Sequence, residues 1–161
     1  PVPSPTYPFS ARLSPDRTTA AFFAFRPDPK TRDDTWRLVT RAFGGAPTDH
    51  GVSAGYAVAF SPDGADLAVT YSEEDPANPK SLLTRHEVVN RATGKRTRLV
   101  LPPGHFEILD WVDGGRAFLV RSGDTDAERL HLFDRRTGTL ADLTPPGWVI
   151  QTGRVSADGR R

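Results

Sequence analysis

Four times along this chain an apolar anchor residue is followed at once by a tight polar turn. Leu13-Ser14-Pro15-Asp16-Arg17 precedes the run Thr19–Phe25, and Phe60-Ser61-Pro62-Asp63-Gly64 precedes Asp66–Tyr71. Trp111-Val112-Asp113-Gly114-Gly115 precedes Arg116–Val120, and Val155-Ser156-Ala157-Asp158-Gly159 begins a further copy. The anchors at positions 13, 60, 111 and 155 are separated by 47, 51 and 44 residues. A unit of that length carries an apolar face it cannot bury alone, so neighbouring units must stack. Blades of a β-propeller are the stacked units that fit this period best.

Each unit divides into four strand-like pieces. Tyr56–Phe60 and Phe106–Trp111 are short apolar runs ending at the anchor. In the turn that follows, proline presets φ, aspartate caps its own backbone and glycine accepts a positive φ. Leu67–Tyr71 and Ala117–Val120 come next, rich in β-formers. After a polar loop, Leu130–Asp134 has period-two character and turns through Asp134-Arg135-Arg136-Thr137-Gly138. Asn90-Arg91-Ala92-Thr93-Gly94 and Gly44-Gly45 are the corresponding hairpin turns of the other units. No window sustains helical spacing, and 15 prolines and 14 glycines break the chain often. The fold class read from this is all-β: about three four-stranded antiparallel meanders and the first strand of a fourth. The expected units are 7–49, 54–101, 105–144 and the start of another at 148–161, together a partial propeller over 1–161. Phe22, Phe23 and Phe25, with Leu67, Val69, Phe118 and Val120, are expected in the core between blades. Phe60 and Trp111 are expected to anchor the innermost strands.

The Ser-Pro-Asp-Gly turn, the apolar strand after it and the unit end near Leu143-Thr144 resemble TolB-type propeller repeats, which are WD-repeat-like without the Trp-Asp signature. The resemblance runs from about Phe9 to Arg161. Arg17 stands where glycine is usual, and the third unit lacks the Ser-Pro pair. Repeats of this type occur in the periplasmic protein TolB, in bacterial lipoprotein propellers and in the propeller that covers the active site of prolyl-oligopeptidase-like serine peptidases. Three units and one strand fall short of the four to eight blades that close a propeller. Together with the absence of any methionine, this predicts a segment of a longer propeller protein whose remaining blades close the ring.

A net charge of +1 gives no electrostatic reason to expect nucleic acid, and no apolar run reaches membrane-spanning length. With no cysteine, disulfides and thiolate metal sites are excluded. No cofactor and no metal site is expected.

Chain direction alternates along a meander, so its loops sort onto two ends. The tight turns share one end. The opposite end receives Arg26–Thr35, Ser72–Ser81 and Ser122–Arg129, together with the inter-blade segments Thr48–Gly55, Pro102–His105 and Pro145–Gln151. Loops on a rigid scaffold carry binding residues, which makes this the candidate face. Its acidic groups are Asp33, Asp34, Glu73, Glu74, Asp124 and Asp126. They suit a cationic peptide, but the preferred reading is solvated loops kept soluble by charge; Asp124-Thr125-Asp126 is only a fragment of a calcium site. His50, His105 and Trp148 stand ten, six and seven residues before their anchors, where they would enter innermost strands at the channel mouth. His86 and His131 read as structural or exposed. Arg91, Lys95, Arg96, Arg135 and Arg136 decorate the turn end, as a basic rim or as protection of outer strands.

Gly51-Val52-Ser53-Ala54-Gly55 spells the Gly-x-Ser-x-Gly elbow, but that elbow needs a strand leading in and a helix leading out. Here a strand pattern follows the serine, so catalysis by Ser53 is not expected. The function expected is a non-catalytic TolB-like scaffold binding a protein or peptide, in the periplasm or outside the cell. The alternative is the substrate-gating propeller of a prolyl-oligopeptidase-like serine peptidase whose catalytic domain lies outside this chain.

Overall fold

The computed structural model describes residues 11–26, 35–53, 55–123, 128–148, 150 and 156. These form three four-stranded antiparallel sheets. The first contains β1 (Arg12–Leu13), β2 (Thr19–Arg26), β3 (Thr35–Ala42) and β4 (Pro47–Ser53), in that spatial order. The second contains β5 (Gly55–Phe60), β6 (Asp66–Asp75), β7 (Asn78–Asn90) and β8 (Arg96–Leu99). The third contains β9 (Phe106–Val112), β10 (Ala117–Ser122), β11 (Arg129–Asp134) and β12 (Leu140–Asp142). In each sheet the chain steps outward one strand at a time. The first strands β1, β5 and β9 lie beside one another, which is the radial arrangement of propeller blades.

The tight turns explain why each unit starts where it does. Ser61 is buried; its hydroxyl donates to Asp63 at 2.6 Å and accepts the Asp66 N–H at 2.9 Å. Asp63 also accepts the Ala65 N–H at 3.0 Å. Ser14, Asp16 and Thr19 repeat the arrangement, with the Ser14 hydroxyl 2.5 Å from Asp16 and the Thr19 N–H 3.0 Å from Ser14 Oγ. The serine hydroxyls, with the backbone N–H groups, hold both aspartates below the usual carboxylate range. Gly64 takes φ +73° at the turn's end, and Arg17 is forced to +59° at the same place. The third turn has no serine and closes as a short 3-10 turn, Asp113–Gly115, instead.

Two clusters fill the seams between sheets. Ala21, Phe23, Leu38 and Val52 of the first sheet meet Val58, Phe60, Leu67, Val69, Tyr71 and Val89 of the second. Ala59, Ala68 and Val88 of the second meet Phe106, Ile108, Trp111, Phe118, Val120 and Phe133 of the third. Trp111 packs edge-on to Phe118 at 4.7 Å, and its indole N–H donates to the Ala59 carbonyl of the preceding blade at 3.0 Å. Phe22, by contrast, is only half-buried: alternation along β2 turns it to the face away from Phe23. The side chain of Phe25 lies outside the described residues.

In the second and third sheets an arginine at the start of the hairpin turn locks the anchor. The guanidinium of Arg91 lies 5.2 Å over the Phe60 ring and donates to the Gly64 carbonyl at 2.6 Å. Arg135 repeats this over Trp111 at 4.8 Å, donating to the Gly115 carbonyl at 2.6 Å. Arg91 and Arg135 are therefore latches within their blades and not a free basic rim.

Two expected loops are strands. β6 runs on to Asp75 and β7 starts at Asn78, so Ser72–Ser81 is a long hairpin with a two-residue turn at Pro76 and Ala77. Thr48–Gly55 is for the most part β4, paired to β3 with an irregularity between Arg37 and Val39. In the Gly-x-Ser-x-Gly segment both glycines have structural work: Gly51 takes φ +70°, and a Cβ on Gly55 would lie 2.1 Å from the Phe23 ring. Among the described residues no helix is long and apolar enough to cross a membrane.

Trp111→Ala is expected to cost about 3–5 kcal/mol in urea unfolding. Trp111→Phe keeps the packing but strands the Ala59 carbonyl, and is expected to cost about 1–2 kcal/mol; equal losses for the two variants would contradict the indole bond. At the turns, Gly64→Ala is expected to lose about 1 kcal/mol, because the new Cβ meets Pro15 only at 3.5 Å and the strain is in the backbone. Arg17→Gly relieves the same strain and is expected to gain roughly 0.5–1 kcal/mol. Changes of the same sign at both positions would refute this account.

Candidate functional site

At the end opposite the tight turns, the seam between the second and third sheets carries a polar platform. The start of β5 presents Tyr56, whose ring stacks on His105 at 6.2 Å with an interplanar angle of 15°. The Tyr56 hydroxyl reaches Thr84 Oγ1 at 3.5 Å, and the same oxygen meets His105 Nδ1 at 3.1 Å. Burial raises the Tyr56 pKa above the usual phenol value. Beside this trio, Arg121 on β10 is bonded to Glu107 on β9 and lies 3.2 Å from Glu128. Burial works against the Arg121 charge, but the two carboxylates more than offset it and hold the guanidinium above its usual pKa. Arg85 and Glu73 pair across β7 and β6 on the adjoining hairpin. What this arrangement offers is a flat aromatic–imidazole surface bordered by fixed charges, with His105 exposed.

A buried histidine lies beneath the platform. His86 on β7 faces Thr70 of β6, with Nδ1 3.2 Å from Oγ1, and Thr70 Oγ1 accepts the Ile108 N–H of the third sheet at 3.1 Å. The hydroxyl thus joins the buried imidazole to the backbone of the next blade. Burial, reinforced by the neighbouring His105, pushes the His86 pKa down to about 4.

The residues expected from the sequence are scattered more widely than a ring. His105 does sit directly before the innermost strand β9. His50 does not: it lies on β4, the outermost strand of its sheet, with Nε2 2.8 Å from Thr40 Oγ1. Burial, and then the charge of Arg91, lower its pKa. The error has a physical source, because the sheet's fourth strand occupies the segment read as a connection. Trp148 is 67% exposed beyond β12, its N–H closing a turn onto the Pro145 carbonyl. Glu73 is committed to Arg85, while Glu74 stands exposed near the hairpin tip. Asp33, Asp34, Asp124 and Asp126 lie outside the described residues. His131 is half-buried, bonded to Ser122 Oγ at 2.6 Å and edge-on to Phe106. Among the described residues no three His, Asp or Glu side chains are grouped to hold a metal ion.

Tyr56, Thr84, Glu107 and Arg121 were not singled out from the sequence. A usable signal existed: Tyr56 and Glu107 both stand four residues before an anchor, as polar-tipped groups in otherwise apolar strands.

Comparison with known proteins places the fold. No family model matches the chain, and no curated protein matches it. Among solved structures, it is similar to TolB from Acinetobacter baumannii, with a TM-score of 0.73 and 21% identity over 93% of this chain and 35% of that one. It is similar to a putative TolB from Agrobacterium tumefaciens, with a TM-score of 0.62 and 17% identity over 89% of this chain and 50% of that one. The β-propeller domain of the Trilobed protease from Pyrococcus furiosus matches with a TM-score of 0.59 and 14% identity, over 83% of this chain and 41% of that one. The chain thus spans between a third and a half of the length of these structures. The three sheets are blades of a TolB-like β-propeller segment.

The buried histidine makes stability pH-dependent with a definite sign. Unfolded His86 titrates near 6.5 and folded His86 near 4, so between these values the unfolded chain holds the extra proton. The contribution is fully present above pH 6.5 and is lost as the pH falls toward 4, by at most on the order of 3 kcal/mol. His86→Gln is expected to flatten the pH dependence of urea unfolding over that interval; an unchanged slope would remove His86 as its source.

Proposed function

We propose that this chain is part of a non-catalytic β-propeller scaffold that holds a protein or peptide partner on the platform at its loop end. The observation that supports this reading is the stacked Tyr56–His105 pair, tied through Thr84 and flanked by the Glu107–Arg121–Glu128 group at a blade seam. Aromatic and arginine side chains held rigidly at the centre of a patch are the groups that carry binding energy at protein interfaces. Glu73, Glu74, Asp75, Glu107 and Glu128 outnumber the arginines beside them, which favours a partner with cationic side chains. The units 7–49, 54–101 and 105–144 are proposed as successive blades, with a further blade from 148 and the remaining ones supplied by a longer chain. A protein of this kind acts in the periplasm or outside the cell.

A second reading is supported by the likeness to the Trilobed protease propeller. In it the same platform would meet peptide substrates on the way to a serine peptidase domain outside this chain.

The test is binding of fluorescein-labelled lysine-rich and glutamine-rich peptides of equal length, followed by anisotropy. The lysine peptide is expected to bind, and His105→Ala combined with Glu74→Lys to weaken it about tenfold. No preference for the lysine peptide, or no effect of the double variant, would overturn the reading. Labelling of the longer protein by a fluorophosphonate would select the peptidase alternative.

A further inference from the structure

The turn end of the same seam has the opposite character. A cleft of about 490 Å³ opens between β8 and the third blade, bounded by Thr97, Arg98 and Leu99 on one side and by Arg116, Arg135 and Arg136 on the other. At the loop end, Arg85, Arg121 and Arg129 each close on a carboxylate. Here Arg98 and Arg136 are exposed and have no hydrogen-bonded carboxylate among the described residues. Arg135 spends one terminal nitrogen on the Gly115 carbonyl, and Arg116 meets only Asp113, an exposed neighbour on the same turn. Asp134, the acidic residue of the lining, is committed to its own turn, accepting the N–H groups of Arg136 at 2.8 Å and Thr137 at 2.9 Å. Four arginines and one carboxylate, Asp134, therefore line this space, which keeps an excess of positive charge.

An independent feature bears on the shape of what would fill it. β8 is the last strand of its sheet, paired through Arg96–Leu99 to β7 alone among the described residues. Its outer edge offers main-chain donors and acceptors to an added strand. We propose that this cleft binds an extended acidic peptide segment, which adds alongside β8 and places its carboxylates against Arg98, Arg116, Arg135 and Arg136. Guanidinium–carboxylate pairs are planar and directional, which suits side chains spaced along a strand. The edge is four residues long, roughly 13 Å, a length that matches a short peptide rather than the continuous phosphate track of a nucleic acid. This site lies at the opposite end of the blades from the loop platform and is independent of it.

The experiment uses the whole chain and a labelled Glu-Val-Glu-Val-Glu-Val peptide, its Gln-for-Glu counterpart, and an unlabelled single-stranded oligonucleotide as competitor. Arg135 is left intact because it latches Trp111. The acidic peptide is expected to bind at least about tenfold more tightly than the glutamine peptide. Arg98→Glu with Arg136→Glu is expected to abolish that preference at an unchanged melting temperature, whereas His105→Ala leaves it in place. N-methylation of alternate peptide amides is expected to weaken binding by removing the pairing to β8. Equal binding of the two peptides, binding of neither, indifference to the double charge reversal, or displacement by the oligonucleotide at lower concentration than by free peptide would each overturn the proposal.

Discussion

The stack depends on how one aromatic anchor is held between two blades. Phe60 and Trp111 each end the innermost strand of their sheet, and each is covered by an arginine from the hairpin turn of that sheet. The guanidinium carbon lies over the ring while one N–H reaches a carbonyl of the neighbouring tight turn. Two turns that are distant in sequence are thereby fixed at one level. A lysine would supply the charge but not the planar stack together with an in-plane donor. The geometry has a cost: the Arg91 Nε is buried with no partner among the described residues. Stacking on Phe60 and the bond to the Gly64 carbonyl offset it. In the first sheet the equivalent residue is Phe43, whose N–H bonds to Thr18 as that of Arg91 bonds to Ala65, and its side chain is exposed. The latch belongs to seams where an aromatic anchor needs covering.

Much of this was legible in the sequence because the repeat encodes the parts that contact one another. The Ser-Pro-Asp-Gly turn, the apolar second strand and the glycine-closed hairpin all fall at fixed offsets from the anchor, and their hydrogen bonds are local. What was not legible is where strands continue beyond the core. Glu73, Glu74 and Asp75 have no apolar alternation, so they read as loop, yet they pair with the start of β7 over a further turn of hairpin. β4 misleads for a related reason. Pro47-Thr48-Asp49-His50-Gly51 has weak β-propensity, and its pairing to β3 is sustained by backbone bonds and by the positive φ of Gly51. His50 moved from a channel mouth to an outer strand on that account.

The candidate platform was half legible. His105 was placed by its spacing alone, but its partners come from two other strands, and only folding shows that Tyr56 on β5 and Thr84 on β7 converge on it. Glu107 illustrates the difficulty: within β9 it reads as one polar residue among apolar ones, and its role depends on Arg121 across the ladder and Glu128 beyond it.

The two ends of the second seam differ in how their charge is settled. At the loop end Glu73, Glu107 and Glu128 are bonded to arginines, and rings stack over a buried His86. At the turn end arginines are in excess. Asp63 and Asp134 cap backbone N–H groups at the turn end, but capping alone does not withdraw a carboxylate from arginine: Asp142 accepts the Thr144 N–H and still pairs with Arg129, and Asp49 accepts the Gly51 N–H and lies 3.5 Å from Arg37. What sets the turn end apart is where the arginines stand, with Arg98, Arg116, Arg135 and Arg136 lining one cleft beside Asp134. Specificity there has to come from the shape of the cleft and the edge of β8 as much as from charge.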